Sequence, residues 1–267
     1  MTQLSERLRA PWVKLSSWSA SSRTAIMFEQ FPKTRPPLSK EMEAIHASHY
    51  RANRTGQTAA TSLAQRMESW LHRKVASDVV SRPREARSTL EIGAGTLNQL
   101  PYEPDVGPYD IVEPFGALYD GSPSLQRVRD IYSDIGEVPE HCRYDRITSV
   151  ATFEHVLDLP GLVARSGLLL DVNGVLRTAI PSEGTFLWTL GWKLTTGIEF
   201  RIKHGMDYSL YMKHEHVNDA KEIAEVLQFF YEDVECRVLG LAKAVSFYQF
   251  YVCRQPRVAR CREYLES

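Results

Sequence analysis

One stretch limits what this chain can fold into more than any other. It is Thr89-Leu90-Glu91-Ile92-Gly93-Ala94-Gly95, with Glu113 closing the next apolar run, Tyr109-Asp110-Ile111-Val112-Glu113. An apolar run that ends in Gly-x-Gly lets backbone approach a ligand that a side chain would hold off. An acid at the end of the neighbouring run stands where a ribose diol needs hydrogen-bond acceptors. The two runs read as adjacent parallel strands with a nucleoside-containing cofactor at their carboxyl ends. Gly93, Ala94 and Gly95 are the candidate turn, and Glu113 is the candidate ribose acceptor.

The rest of the chain is organised around that pair. Pro32, Pro36 and Pro37 set residues 1–38 apart as an N-terminal arm, and Ser39, with Glu43 close behind, is a helix start. Between Thr58 and Val80, Leu63, Met67, Trp70, Leu71 and Val75 recur at helical spacing until Pro83 stops the run, so 39–86 reads as helical. After residue 87 short apolar runs take over. Leu90–Ile92, Tyr109–Glu113, Arg127–Ile131, Arg146–Ala151 and Gly174–Ile180 are the expected parallel strands, with a helix over Leu159–Leu170. Asn218 is the expected cap of a helix whose buried stripe is Ile223, Ala224, Val226, Leu227 and Phe230. Val234–Val238 and Val245–Cys253 are too close in sequence for a helical crossover, so they pair antiparallel. Residues 87–256 thus form one domain, and 257–267 are left as a tail.

Bulk chemistry removes several function classes. Thirty-two basic against thirty-three acidic residues give a net charge of -1, so no basic field points to nucleic acid. The four cysteines show neither C-x-x-C nor zinc-finger spacing, and a reduced, cytoplasmic protein is the plain reading. No apolar run reaches the roughly 18–20 residues that span a bilayer.

The third glycine of a dinucleotide fingerprint is missing, because position 98 is Asn98, and the sheet ends in a hairpin. Here the residues carry a resemblance. Leu90-Glu91-Ile92-Gly93-Ala94-Gly95-Thr96 resembles motif I of the class I S-adenosylmethionine-dependent methyltransferases. Tyr144-Asp145-Arg146-Ile147 through Phe153-Glu154-His155-Val156 is similar to the family's fourth-strand motif, and Asn173-Gly174-Val175-Leu176 with Ile180-Pro181 to its fifth-strand region. The resemblance covers roughly residues 85–255. It implies an α/β, Rossmann-like sheet of seven mostly parallel strands with a terminal antiparallel hairpin, helices on both faces and an N-terminal helical extension. It implies S-adenosyl-L-methionine as cofactor, Glu113 on the ribose hydroxyls, and Asp134 and Ile135 beside the adenine. One departure stands out: only Thr96 to Pro108 separates motif I from the second strand, with three prolines inside, so the usual crossover helix must be very short. Glu91 either favours the cationic end of the cofactor electrostatically or hydrogen-bonds local backbone.

Methyl transfer needs an aligned nucleophile, a dry site and a proton acceptor when the nucleophile is a hydroxyl. Two regions face that task. The loop after the fourth strand, Thr152-Phe153-Glu154-His155, lies where ligands bind. Thr152 is a candidate cofactor contact, and His155 is either a general base or part of a helix start that satisfies backbone. The second region is the insertion 183–217, where Phe186, Trp188, Trp192, Phe200, Tyr208 and Tyr211 interleave with basic residues. His216 is its candidate base or substrate donor. His214-x-His216 lacks a third ligand, so no metal is assigned. Trp188, Leu190 and Trp192 leave a peripheral membrane contact open.

The expected function is S-adenosylmethionine-dependent methylation, with oxygen as the acceptor atom, of a small or carrier-linked molecule such as a sugar or glycan precursor. The alternatives are an NAD(P)-dependent oxidoreductase and a non-catalytic cofactor-binding scaffold.

Overall fold

The computed structural model describes residues 28–43, 45, 62–194 and 196–267. The remainder of the arm 1–38 and of the helical stretch 39–86 lies outside the described residues. Five strands run parallel: β1 (Thr89–Ile92), β2 (Tyr109–Val112), β3 (Ile131–Tyr132), β4 (Tyr144–Val150) and β5 (Leu170–Pro181). β6 (Tyr231–Ala242) and β7 (Val245–Pro256) form the hairpin, and β7 lies antiparallel against β5. The order is β3-β2-β1-β4-β5-β7-β6. The chain leaves β1 toward one edge and returns to β4 on its other side. This reversal opens a crevice at the carboxyl ends of β1 and β4, where ligands of such sheets bind.

β1 and β2 are buried along their whole length, although each carries an acid, Glu91 and Asp110, among its apolar residues. One face of the sheet is covered by α1 (Ser62–Val80), with Leu71 and Val75 packed against Ala179, Phe250 and Val252. The other face is covered by α2 (Leu159–Leu169), by α6 (Ala220–Phe230) and by α7 (Val258–Leu265). Ile92, Ile147, Leu176, Leu159, Val163, Ile223, Leu227 and Phe230 form the main core there. Three further helices, α3 (Phe186–Leu194), α4 (Thr196–His204) and α5 (Tyr208–Glu215), make up the insertion. The link between β1 and β2 contains only the 3-10 turn Leu100–Tyr102, so the crossover helix is reduced to a single turn as its prolines require.

Under α1 lies a charged layer that apolar periodicity does not announce. Arg146, on β4 and fully buried, donates to Asp78 at 2.9 Å and to Glu103 at 2.8 Å, while Arg177 pairs with Asp78 at 3.2 Å. Removing one member of such a buried set costs about 3–5 kcal/mol, because the partner charge is left uncompensated.

Four boundaries differ from the sequence expectation. The third strand is Ile131–Tyr132 rather than Arg127–Ile131, since Pro123–Arg127 is wound into a 3-10 turn and Val128 closes it. The cap of α6 is Asp219 rather than Asn218. Asp219 accepts from the amides of Lys221 and Glu222, and Glu222 reaches back to the Asp219 amide in a capping box. Residues 257–267 are not a tail, because α7 buries Cys261 beside Gly167. The arm does not end at residue 38 either. Phe28 is buried and stacks on Phe230 at 5.9 Å, and Lys33 meets Glu222 at 2.7 Å, so 28–35 belong to the domain surface.

Candidate functional site

The crevice between β1 and β4 has two halves. In the first, Gly93 (φ 71°) and Gly95 (φ 51°) adopt the left-handed conformation that lets the chain turn sharply off β1. Gly93 is held by its amide bond to Val112 O at 2.8 Å, and a Cβ there would come within 2.3 Å of the Thr152 hydroxyl. Gly95 faces open space: a Cβ on it would meet nothing within 4 Å. Ala94 is buried between them. Glu113, at the end of β2, accepts from the Gly95 amide at 2.8 Å and from the Phe115 amide at 3.0 Å. The carboxylate therefore braces the glycine turn across the mouth of the crevice, and each oxygen keeps a further lone pair.

Asp134 caps the turn Ile135–Glu137, with its Oδ1 on the Gly136 amide at 2.7 Å; it is exposed and Ile135 is buried. Thr152 donates to Val150 O at 3.1 Å. Glu91, buried on β1, accepts from the Tyr109 hydroxyl at 2.9 Å, a side-chain partner on the neighbouring strand rather than the local backbone that its sequence position suggests. Burial pushes its carboxyl up to about 8, so it holds a proton at neutral pH before any cation arrives.

The second half is built from three loops. The chain turns out of β4 through Ala151 (φ 50°) into the 3-10 turn Phe153–His155. Asn218 then ties the end of the insertion to that turn. Its side-chain amide donates to Phe153 O at 2.8 Å and to Val156 O at 2.7 Å, and the amides of Val217 and Asn218 donate to Glu154 O. This lacing brings the two candidate histidines together, with His155 and His216 in edge-to-face contact, ring centroids 4.9 Å apart. His155 Nδ1 is 2.8 Å from Glu215 O, and His216 Nδ1 is 2.9 Å from Glu183 Oε2. Glu183 also accepts from the Trp188 indole, and that ring packs against Tyr248 at 5.4 Å and His216 at 6.4 Å. Glu154 is 1% exposed, and its Oε2 has no hydrogen-bond partner among the described residues. Burial raises its carboxyl to about 7.

Three of these residues escaped the sequence reading. Glu183 carried no signal beyond its place at the start of the insertion. Glu154 carries no role of its own in the sequence, yet its buried carboxylate lies 3.8 Å from His155 Nε2. Arg35 donates to His214 O at 2.6 Å and to His155 O at 3.0 Å, strapping both loops from a segment read as a separate arm. His214 does not join His216; its Nδ1 lies 2.7 Å from Pro36 O. The insertion's aromatics divide. Phe200, Tyr208 and Tyr211 pack on one another and hold the insertion together. Trp188 is half-buried against Tyr248 and His216, Leu190 is exposed, and the side chain of Trp192 lies outside the described residues. No helix among the described residues is long and apolar enough to cross a membrane. A cavity of about 660 Å³, lined by Arg143, Arg165, Leu170 and Arg262, opens at the opposite end of the strands and takes no part in this crevice.

Neither a protein-family model nor a curated protein matches the sequence. Solved structures do match the fold. The plantazolicin methyltransferase BpumL, in complex with a monoazolic desmethylPZN analog and S-adenosylhomocysteine, superposes with a TM-score of 0.56 at 11% identity, covering 88% of this chain and 96% of that one. The 1,6-didemethyltoxoflavin-N1-methyltransferase of Burkholderia thailandensis, also bound to S-adenosylhomocysteine, gives 0.52 at 16% identity over 83% and 93%. An O-methyltransferase family protein from Burkholderia thailandensis gives 0.50 at 14% identity over 88% and 70%.

Proposed function

Given that the chain carries the class I S-adenosylmethionine-dependent methyltransferase fold, we propose that it is an enzyme of that class, methylating an oxygen of a small or carrier-linked acceptor. The observation that carries the reading is the left-handed Gly93–Gly95 turn braced by Glu113 at the sheet's switch point, with Gly95 open toward the crevice. The residues present fit the cofactor. Glu113 would accept from the ribose hydroxyls, Asp134 and Ile135 would flank the adenine, and the backbone of Gly93, Ala94 and Gly95 with Thr152 would line the amino-acid end. S-adenosylmethionine supplies an electrophilic methyl group on a sulfonium cation. Glu91, protonated in the free protein, would release its proton as that cation settles nearby, so cofactor affinity rises with pH toward 8.

On the acceptor side, Glu183 accepts from His216 Nδ1–H, which leaves Nε2 as the lone pair available for an acceptor proton. His155 is oriented in the same way by Glu215 O. Trp188 and Tyr248 offer flat apolar walls beside the histidines, which suit a sugar ring and keep water away. A sugar or glycan precursor in a reducing cytoplasm is the acceptor and location this proposal adopts. The antiparallel β7 gives no support to a nicotinamide-dependent reading.

The test is binding followed by turnover. A thermal shift with S-adenosylhomocysteine and none with NAD(H) is expected, then transfer of labelled methyl to members of a hydroxylated acceptor panel. A shift with NAD(H) alone would sink the reading. Tight S-adenosylhomocysteine binding with no transfer across the panel would make the protein a scaffold.

A further inference from the structure

We propose that Glu154, His155 and His216 form a binding site for one divalent transition-metal cation. The proposal rests on the reading that this half of the crevice receives the acceptor.

Geometry supports it first. One ligand atom from each of the three residues lies within 4.8 Å of the other two, and His155 Nε2 is 3.8 Å from Glu154 Oε1. A tetrahedral shell with bonds near 2.0–2.2 Å needs ligand separations of about 3.5 Å, so a contraction of about 1 Å closes it. The tautomers are set for ligation as well. Neither Glu215 O nor the Glu183 carboxylate can donate, so Nδ1 of each histidine carries the proton and Nε2 carries the lone pair. A ring N–H on a carbonyl or a carboxylate behind each histidine is the usual support of metal-ligating imidazoles.

Burial gives an independent argument. Glu154 is almost completely buried with Oε2 unpartnered among the described residues, and such a group costs free energy unless something meets it. The three loops are already fixed, by Asn218 on Phe153 O and Val156 O and by Arg35 on His155 O, so ordering the site for a ligand costs little further entropy. Two imidazoles and one carboxylate favour Zn²⁺, Fe²⁺ or Co²⁺ over Mg²⁺ or Ca²⁺, and three protein ligands leave a position open. An acceptor hydroxyl in that position would lose its proton to solvent at neutral pH. The O–CH3 bond then forms as the S–CH3 bond breaks, leaving neutral S-adenosylhomocysteine. With the ion bound, both Nε2 lone pairs are engaged in ligation, so the direct base role of His216 belongs to the metal-free protein.

The experiment uses tag-free, full-length protein stripped with a chelator and titrated with Co²⁺ and with Zn²⁺, without cofactor or acceptor. One equivalent of each should bind, with visible d–d bands for cobalt. Glu154→Gln and His216→Ala should abolish the bands. Glu183→Gln, which changes no ligand, should lower affinity 10–100-fold, and His214→Ala should leave it unchanged. Circular dichroism checks that each variant folds. Absence of stoichiometric binding in the wild type, or equal binding by Glu154→Gln and Glu183→Gln, overturns the site. S-adenosylhomocysteine binding to the stripped protein is measured separately. If it persists while metal binding fails, the metal site falls and the cofactor reading stands; metal binding without S-adenosylhomocysteine binding keeps the site and overturns the cofactor reading.

Discussion

The two halves of the crevice treat their polar groups in opposite ways. At the half proposed for the cofactor, Glu113 is bonded to two backbone amides that close the glycine turn, and Glu91 to a tyrosine hydroxyl. At the half proposed for the acceptor, Glu154 keeps a buried oxygen without a partner among the described residues, and two histidines hold lone pairs in reserve. A self-satisfied site recognises one ligand by exchanging existing bonds for new ones. An unsatisfied site stores a cost that only the right ligand removes. Reading the halves this way separates affinity from chemistry.

The strongest test of that separation is on the acceptor side. His216→Ala should lower kcat by about 10²–10⁴-fold while S-adenosylhomocysteine affinity stays within about twofold; a parallel loss of affinity would erase the distinction. Gly93→Ala comes next. Its methyl would overlap Thr152 and demand a left-handed alanine, so calorimetry should show about 2–3 kcal/mol lost from stability and cofactor binding weakened about a hundredfold. Glu113→Gln keeps the shape and removes the charge, so it should weaken cofactor binding by about 1.5–3 kcal/mol, with kcat at saturation preserved. Unchanged affinity would take the ribose role away from Glu113.

A subtler contrast is in pH. The Glu91 carboxyl rises from about 4.5 in the unfolded chain to about 8 when buried, so between those values the native state binds more protons than the unfolded one. Wild-type stability should fall as pH rises through that window, and Glu91→Gln should flatten the slope of Tm against pH. Last, Asp219→Ala removes one side of the capping box and should lower stability by about 1 kcal/mol without altering cofactor affinity.

What could be read in advance follows from how locally each feature is encoded. β1, β2, β4 and β5 each carry a short apolar or β-branched stretch that marks a buried parallel strand, whereas the buried Glu91, Asp110, Arg146 and Arg177 within them carry no such mark. β3 is two residues at an edge, with Ile131 exposed, so its position depends on pairing to β2 rather than on its own composition. α7 was missed because one buried cysteine among charged residues is a faint stripe. The same rule divides the site. Gly93, Gly95 and Glu113 are carried by adjacent strands and were legible. Glu154, Glu183 and Arg35 meet His155 and His216 only after Asn218 has laced two distant loops together, which no spacing rule encodes. Asn218 shows the limit most plainly: its residue type suits a helix cap, and the fold uses its amide for something else.

Arg35 gives the chain's early residues a hold on chemistry far downstream. It grips the carbonyl of His155 from 120 positions earlier and reaches His214 with the same guanidinium. Proteolytic trimming of residues 28–35 would free the loop that carries His155 and would also take Phe28 from the core beside Phe230. The placement of the His155 and His216 pair thus depends on a guanidinium that lies far from both in sequence.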